Sequence, residues 1–113
     1  KGDSVIFRTG WLNKTFHQDP ISNYFENHPC FAYEIIDYLI MKQVNFIGMD
    51  SPGARRGNEH IEIDQYCADH DIFIIENIIN LEELDDSIPF DFYCFPVNIS
   101  NGSGMTCRAI AIQ

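Results

Sequence analysis

A mixed α/β domain is the expectation from the sequence, and three observations carry it. Short runs of β-branched and aromatic residues recur, each closed by a turn former. Apolar residues at helical spacing separate the earlier runs, and the last two runs flank a Gly/Ser/Asn turn. Residues 3–8 (DSVIFR) read as a buried strand closed by Gly10. Residues 11–29 are polar and loop-like, with Trp11, Phe16, Tyr24 and Phe25 interspersed, a composition suited to lining a cleft. Pro29 fits the first turn of a helix whose apolar face is Ala32, Ile35, Ile36, Leu39 and Ile40.

Residues 44–49 (VNFIGM) form a second strand ending at Asp50, and residues 51–60 (SPGARRGNEH) read as a loop by their Pro, Gly and Asn content. A short helix over 64–70 leads to a third strand over 72–75. Residues 90–99 form a long strand in which Pro96 marks an edge or a bulge. The turn SNGSG (100–104) then lets residues 105–112 pair back.

The 113 residues suffice for one small domain. A net charge of −10 argues against nucleic acid, whose phosphates require a basic surface. No apolar run reaches the roughly 18 residues that cross a bilayer, and no signal-peptide pattern opens the chain. Cys30, Cys67, Cys94 and Cys107 are far apart in sequence with no C-x-x-C pair, so the expectation is a reduced, cytoplasmic protein without disulfides. The chain opens at Lys1 and enters a strand almost at once, which leads us to expect a piece of a longer protein.

An acidic edge emerges from this layout. A helix rises about 1.5 Å per residue and a strand about 3.3 Å, so the helix from Asp64 and the strand returning through Ile75 bring Asp64 and Glu76 to one edge. If the strand ending at Met49 runs parallel, Asp50 joins them, and the loop carrying His60 crosses that edge. Carboxylates and an imidazole brought together suit a Zn, Mn or Mg ion. Each residue also has an ordinary reading: Asp64 as a helix N-cap, Glu76 as a solvated strand end, His60 as a surface histidine. His17 and His28 carry no stronger signal. Spacing alone leaves both readings open.

Three stretches, GDSVIFRTGW (2–11), VNFIGMDSPG (44–53) and IFIIENIINLEEL (72–84), resemble the cyclase family of metal-dependent hydrolases, which includes bacterial kynurenine formamidase (arylformamidase). The ending FYCFPVNISNGSGMTCRAIAIQ (92–113) looks like that family's C-terminal hairpin. The resemblance implies a swivelling β/β/α fold, an oligomeric assembly, and hydrolysis of an amide-like or cyclic C–N bond by metal-activated water. It implies that Glu76 is a metal ligand, and that Asp64 stands where the kynurenine formamidases of the family place a histidine ligand. His60 is then the candidate catalytic histidine, and Trp11 a candidate substrate-binding residue.

The family's His-x-Gly-Thr-His-x-Asp-x-Pro-x-His signature is missing from these residues. The chain therefore resembles the C-terminal part of one cyclase-like domain (residues 1–113), apparently incomplete, expected to be inactive alone. The cofactor implied is a divalent metal, Zn or Mn. The partners implied are a small-molecule substrate and further copies of the chain in a homo-oligomer, with no nucleic acid and no membrane. The alternative is a cyclase-like binding or assembly module without catalysis.

Overall fold

Three short strands, β1 (Ser4–Phe7), β2 (Phe46–Met49) and β3 (Phe73–Ile75), run parallel in the order β1-β2-β3 in the computed structural model, which describes residues 1–113. The register pairs Phe7 with Met49 and Gly48 with Ile75, so all three strands finish at the same edge. The strands are shorter than the sequence runs suggested, because ladder pairing covers only the apolar centre of each run.

Val5, Phe7, Ile47, Met49 and Ile74 share one side of this sheet by strand alternation, and all belong to or pack against the core. Helix α3 (Tyr33–Lys42) brings Ile36 and Leu39 to it, and helix α4 (Asn58–Ala68) brings Ile63 and Cys67. Ile36, Ile47 and Ile63 are completely buried, and such burial stabilises by about 1.5–3 kcal/mol per side chain. Gly48 points the other way: a Cβ there would stand 2.4 Å from Ile6 Cδ1 and 2.7 Å from Ile78 Cδ1. Only a hydrogen fits between those side chains.

Residues 11–29 are more ordered than the loop expected of them. They contain α1 (Trp11–Thr15) and α2 (Ser22–Glu26), each too short to show helical periodicity in sequence. Helix α3 starts at Tyr33 rather than in the turn containing Pro29. The preceding residues are held extended, with Phe31 N–H donating to the Ala54 carbonyl and Arg55 Nη1 donating to the Phe31 carbonyl. These tertiary bonds compete with a further helical turn.

The chain divides into two compact units, Lys1–Leu81 and Glu82–Gln113. In the second, β4 (Asp91–Pro96) and β5 (Cys107–Ile112) form an antiparallel hairpin in which Asp91 faces Ile112 and Pro96 faces Cys107. Pro96 ends β4, as a residue without an N–H should. The Gln113 side chain donates to the carbonyls of Asp85 and Ile88 and accepts from Asp85 N–H, closing the unit on itself. No helix of the chain is long and apolar enough to cross a membrane.

Candidate metal centre

Glu76 directly follows β3, at the edge where all three parallel strands end. Its position is clamped by the next two residues: Asn77 N–H donates to the Ser51 carbonyl and Ile78 N–H to the Met49 carbonyl. Asn77 adopts φ 56°, a left-handed conformation that asparagine tolerates well. Its side-chain oxygen accepts a hydrogen bond from the Tyr24 hydroxyl. The backbone after β3 is therefore tied to the loop after β2 and to α2.

The other two functional candidates lie on α4. The sequence placed His60 in a loop and Asp64 at a helix start, whereas the helix begins at Asn58 and contains both. Gly57, at φ 57°, supplies the turn into the helix, and Arg55 grips Glu59 of the first turn through two hydrogen bonds of 3.0 and 2.6 Å. His60 and Asp64 are thus one helical turn apart on a single face, a spacing that brings side chains together. Ile63 and Cys67, on the neighbouring face, anchor α4 in the core. The N-cap reading of Asp64 does not hold.

The ligand atoms of His60, Asp64 and Glu76 all lie within 4.8 Å of one another. His60 Nε2 is 3.2 Å from Asp64 Oδ2 and 3.5 Å from Glu76 Oε1. The second contact is short enough for an ion pair, yet Glu76 Oε1 has no hydrogen-bond partner. Asp64 Oδ1 is likewise buried and unpartnered. Orphaned buried carboxylate oxygens are costly and rare.

The electrostatics agree with that geometry. Burial pushes the Glu76 carboxyl up to about 7; His60 opposes the shift and Asp64 adds to it. Burial also raises the Asp64 carboxyl, again against His60. The loop's arginines do not relieve the charge. Arg55 is committed to Glu59, to the Phe31 carbonyl and to the Tyr33 ring, and Arg56 to the Glu26 carbonyl and Cys30 Sγ. A cation between these three residues would satisfy both orphaned oxygens, so the donor set fits a divalent ion.

Gly53 shapes the site from behind. A Cβ there would lie 2.5 Å from His60 Nδ1 and 2.7 Å from Cε1, and the residue has φ 153°. The loop SPGARRG, a plain turn by composition, is in fact buried from Ser51 to Ala54 and forms the wall against which the imidazole rests. Asp50 does not join the cluster. It is buried and accepts from Thr9 N–H (2.9 Å), the Thr9 hydroxyl (2.6 Å) and Gly10 N–H (2.6 Å), organising the start of α1.

Trp11 opens α1 and is fixed by its indole N–H donating to the Tyr24 carbonyl at 2.9 Å; the three-residue cluster does not include it. Tyr24 itself is near enough to feel the acidic edge: burial, then Asp50 and Glu76, push its phenol up to about 12. His28, undistinguished in sequence, is buried with Nδ1 3.0 Å from the Pro29 carbonyl. Burial lowers its pKa, and the charges of Arg56 and His60 lower it further.

A family model described as "Putative cyclase" matches residues 1–55, the stretch from β1 through the loop after β2. The match supports the cyclase resemblance there; it includes Trp11, while His60, Asp64 and Glu76 lie beyond it. A solved structure described as a potential metal-dependent hydrolase with cyclase activity has the same fold, with a TM-score of 0.56 at 18% sequence identity. The alignment covers 96% of this chain and 63% of that one, so the chain spans less than two thirds of its neighbour's length. No curated protein sequence matches the chain.

Proposed function

We propose that His60, Asp64 and Glu76 hold a divalent cation, Zn or Mn, in the active site of a cyclase-type metal-dependent hydrolase acting on an amide-like or cyclic C–N bond. The observation that carries this reading is the convergence of three ligand atoms within 4.8 Å with two buried carboxylate oxygens left unpaired. Three protein ligands with an open position are the usual arrangement of a catalytic zinc site. The placement of His60 Nε2 beside both carboxylates favours a metal-ligand role for it. With two oxygen donors to one nitrogen, the set favours a harder ion such as Mn more than a histidine-rich site would.

A bound divalent ion supplies a water of lowered pKa and polarises a carbonyl. The protein's part is to fix the ligands and admit a small molecule. The side chains of His60, Asp64 and Glu76 are 32, 40 and 27% exposed, which leaves a solvent-facing side for substrate. Trp11 of α1 and the aromatic residues of α2 form the substrate-binding side in this reading. These 113 residues, without the histidine signature, bind metal but turn over substrate poorly. The free cysteines fit a reducing cytoplasm, and further copies of the chain complete a homo-oligomer.

Titration of Mn(II), followed by loss of the free-ion electron paramagnetic resonance signal, tests the centre directly. One ion is expected per chain, with binding weakened in His60→Gln, Asp64→Asn and Glu76→Gln. Binding unchanged in all three variants would overturn the assignment. Metal binding without hydrolysis of an N-formylated aryl amine, in a protein that also carries the histidine signature, would favour the non-catalytic module instead.

A further inference from the structure

The β4–β5 hairpin contains a second constellation of metal-binding atoms, unrelated to the acidic centre. Cys94 faces Ala109 and Cys107 faces Pro96, so the two cysteines are diagonal neighbours on one face of the ladder. Far apart in sequence, the two thiols are neighbours in the fold, close enough for Cys107 to perturb Cys94. Alternation puts Phe92, Ala109 and Ala111 on the same face, and Asp91, Tyr93 and Arg108 on the other. The cysteine face therefore offers sulfur and little else: no carboxylate, imidazole or amide side chain shares it. Cys94 is half-buried and Cys107 exposed, so an ion can reach the pair from solvent.

We propose that Cys94 and Cys107 form a two-thiolate site for a soft, low-coordinate metal ion, with Cu(I) the species whose chemistry the geometry fits. Diagonal neighbours in an antiparallel pair have α-carbons about 7–8 Å apart. A disulfide becomes difficult beyond about 7 Å without backbone movement, so direct oxidation would strain the hairpin. A metal–sulfur bond of about 2.3 Å instead spans sulfurs up to roughly 4.6 Å apart. Diagonal neighbours on one face can bring their sulfurs to that spacing by side-chain rotation alone. Zinc would need further ligands that this face lacks, whereas Cu(I) is satisfied by two thiolates.

Binding breaks two S–H bonds, forms two Cu–S bonds and releases two protons to solvent, with no change of oxidation state. Burial, together with the neighbouring Cys107 thiol, pushes the Cys94 thiol up to about 11.

The test presents Cu(I) as its bicinchoninate complex, under argon with ascorbate, to the full chain. The wild type is expected to withdraw one equivalent, Cys94→Ser and Cys107→Ser to lose that withdrawal, and Cys30→Ser to retain it. X-ray absorption of the copper-loaded wild type provides a readout that needs no variant to fold: a shell of two sulfurs is expected. Serine variants that withdraw copper as the wild type does, or a shell dominated by nitrogen and oxygen, would overturn the site. Neither outcome bears on the centre at Glu76, whose donors are on the other unit of the chain.

Discussion

Replacing Glu76 by glutamine should stabilise the metal-free protein at neutral and alkaline pH, although it removes a proposed ligand. The carboxyl is raised from 4.5 to about 7 in the folded chain, chiefly by burial. That rise corresponds to a ceiling of about 3 kcal/mol against the folded state once Glu76 is ionised. The side chain is 27% exposed, so solvent screens part of this cost. The amide of the variant also leaves a buried polar group incompletely paired, which brings the expected net gain to about 1–2 kcal/mol.

The sign follows from proton binding. Below about pH 4.5 the carboxyl is protonated in both folded and unfolded chains, and the variant gains nothing from losing it. Between about 4.5 and 7 the folded wild type keeps a proton that the unfolded chain has released, so wild-type stability falls as pH rises. Above about 7 the loss is complete.

Urea unfolding in the presence of a chelator, followed through the single tryptophan, Trp11, reports on the unit that carries the site. With a slope of about 1–3 kcal/mol per molar, the midpoint should rise by roughly 0.5–1 M at pH 8 and hardly at all at pH 4. Mn(II) should reverse the order, since an ion at about one hundred times its Kd stabilises only the protein that binds it, by about 2.7 kcal/mol. A Glu76→Gln protein less stable than wild type at pH 8 without metal, or one with the wild-type pH slope, would refute the reasoning.

Three further substitutions separate the metal centre from the packing around it. Gly53→Ala places a methyl group against the His60 ring, where the nearest atom is 2.5 Å away, and should weaken Mn(II) binding about tenfold or more, as loss of outer-shell support does elsewhere; titration of the folded variant checks this. Asp50→Ala strands Thr9 N–H, the Thr9 hydroxyl and Gly10 N–H, and should cost about 2–4 kcal/mol in urea unfolding, with Asp50→Asn recovering part of the loss. Tyr24→Phe removes the hydrogen bond to Asn77 and should cost about 1 kcal/mol in the same measurement.

The strands were legible because β-branched and aromatic runs such as Val5-Ile6-Phe7 and Ile72–Ile75 carry their own signal, whereas the parallel direction was only a condition until the register fixed it. Helix α4 was not. Its first turn is Asn58-Glu59-His60, polar residues that look like loop, and it is started by the backbone of Gly57 and the Arg55–Glu59 pair rather than by an apolar stripe. The contact of Cys94 with Cys107 was hidden for a similar reason, since it exists only in one hairpin register.

The two acidic residues that follow strands show where sequence reasoning reaches its limit. Asp50 follows β2 as Glu76 follows β3, and both are drawn inward at the same edge. Asp50 meets three donors from a segment about forty residues away in sequence, and its charge is spent on holding the start of α1. Glu76 meets His60 and Asp64, and its Oε1 finds no donor. Both acids are legible as acids at a strand end, but the difference between a satisfied carboxylate and an unpartnered one is where the N–H groups of Thr9 and Gly10 point. Tertiary packing decides that, through α1 for one residue and α4 for the other. A carboxylate left unpartnered at the carboxyl edge of a parallel sheet is the one we propose as a cation ligand.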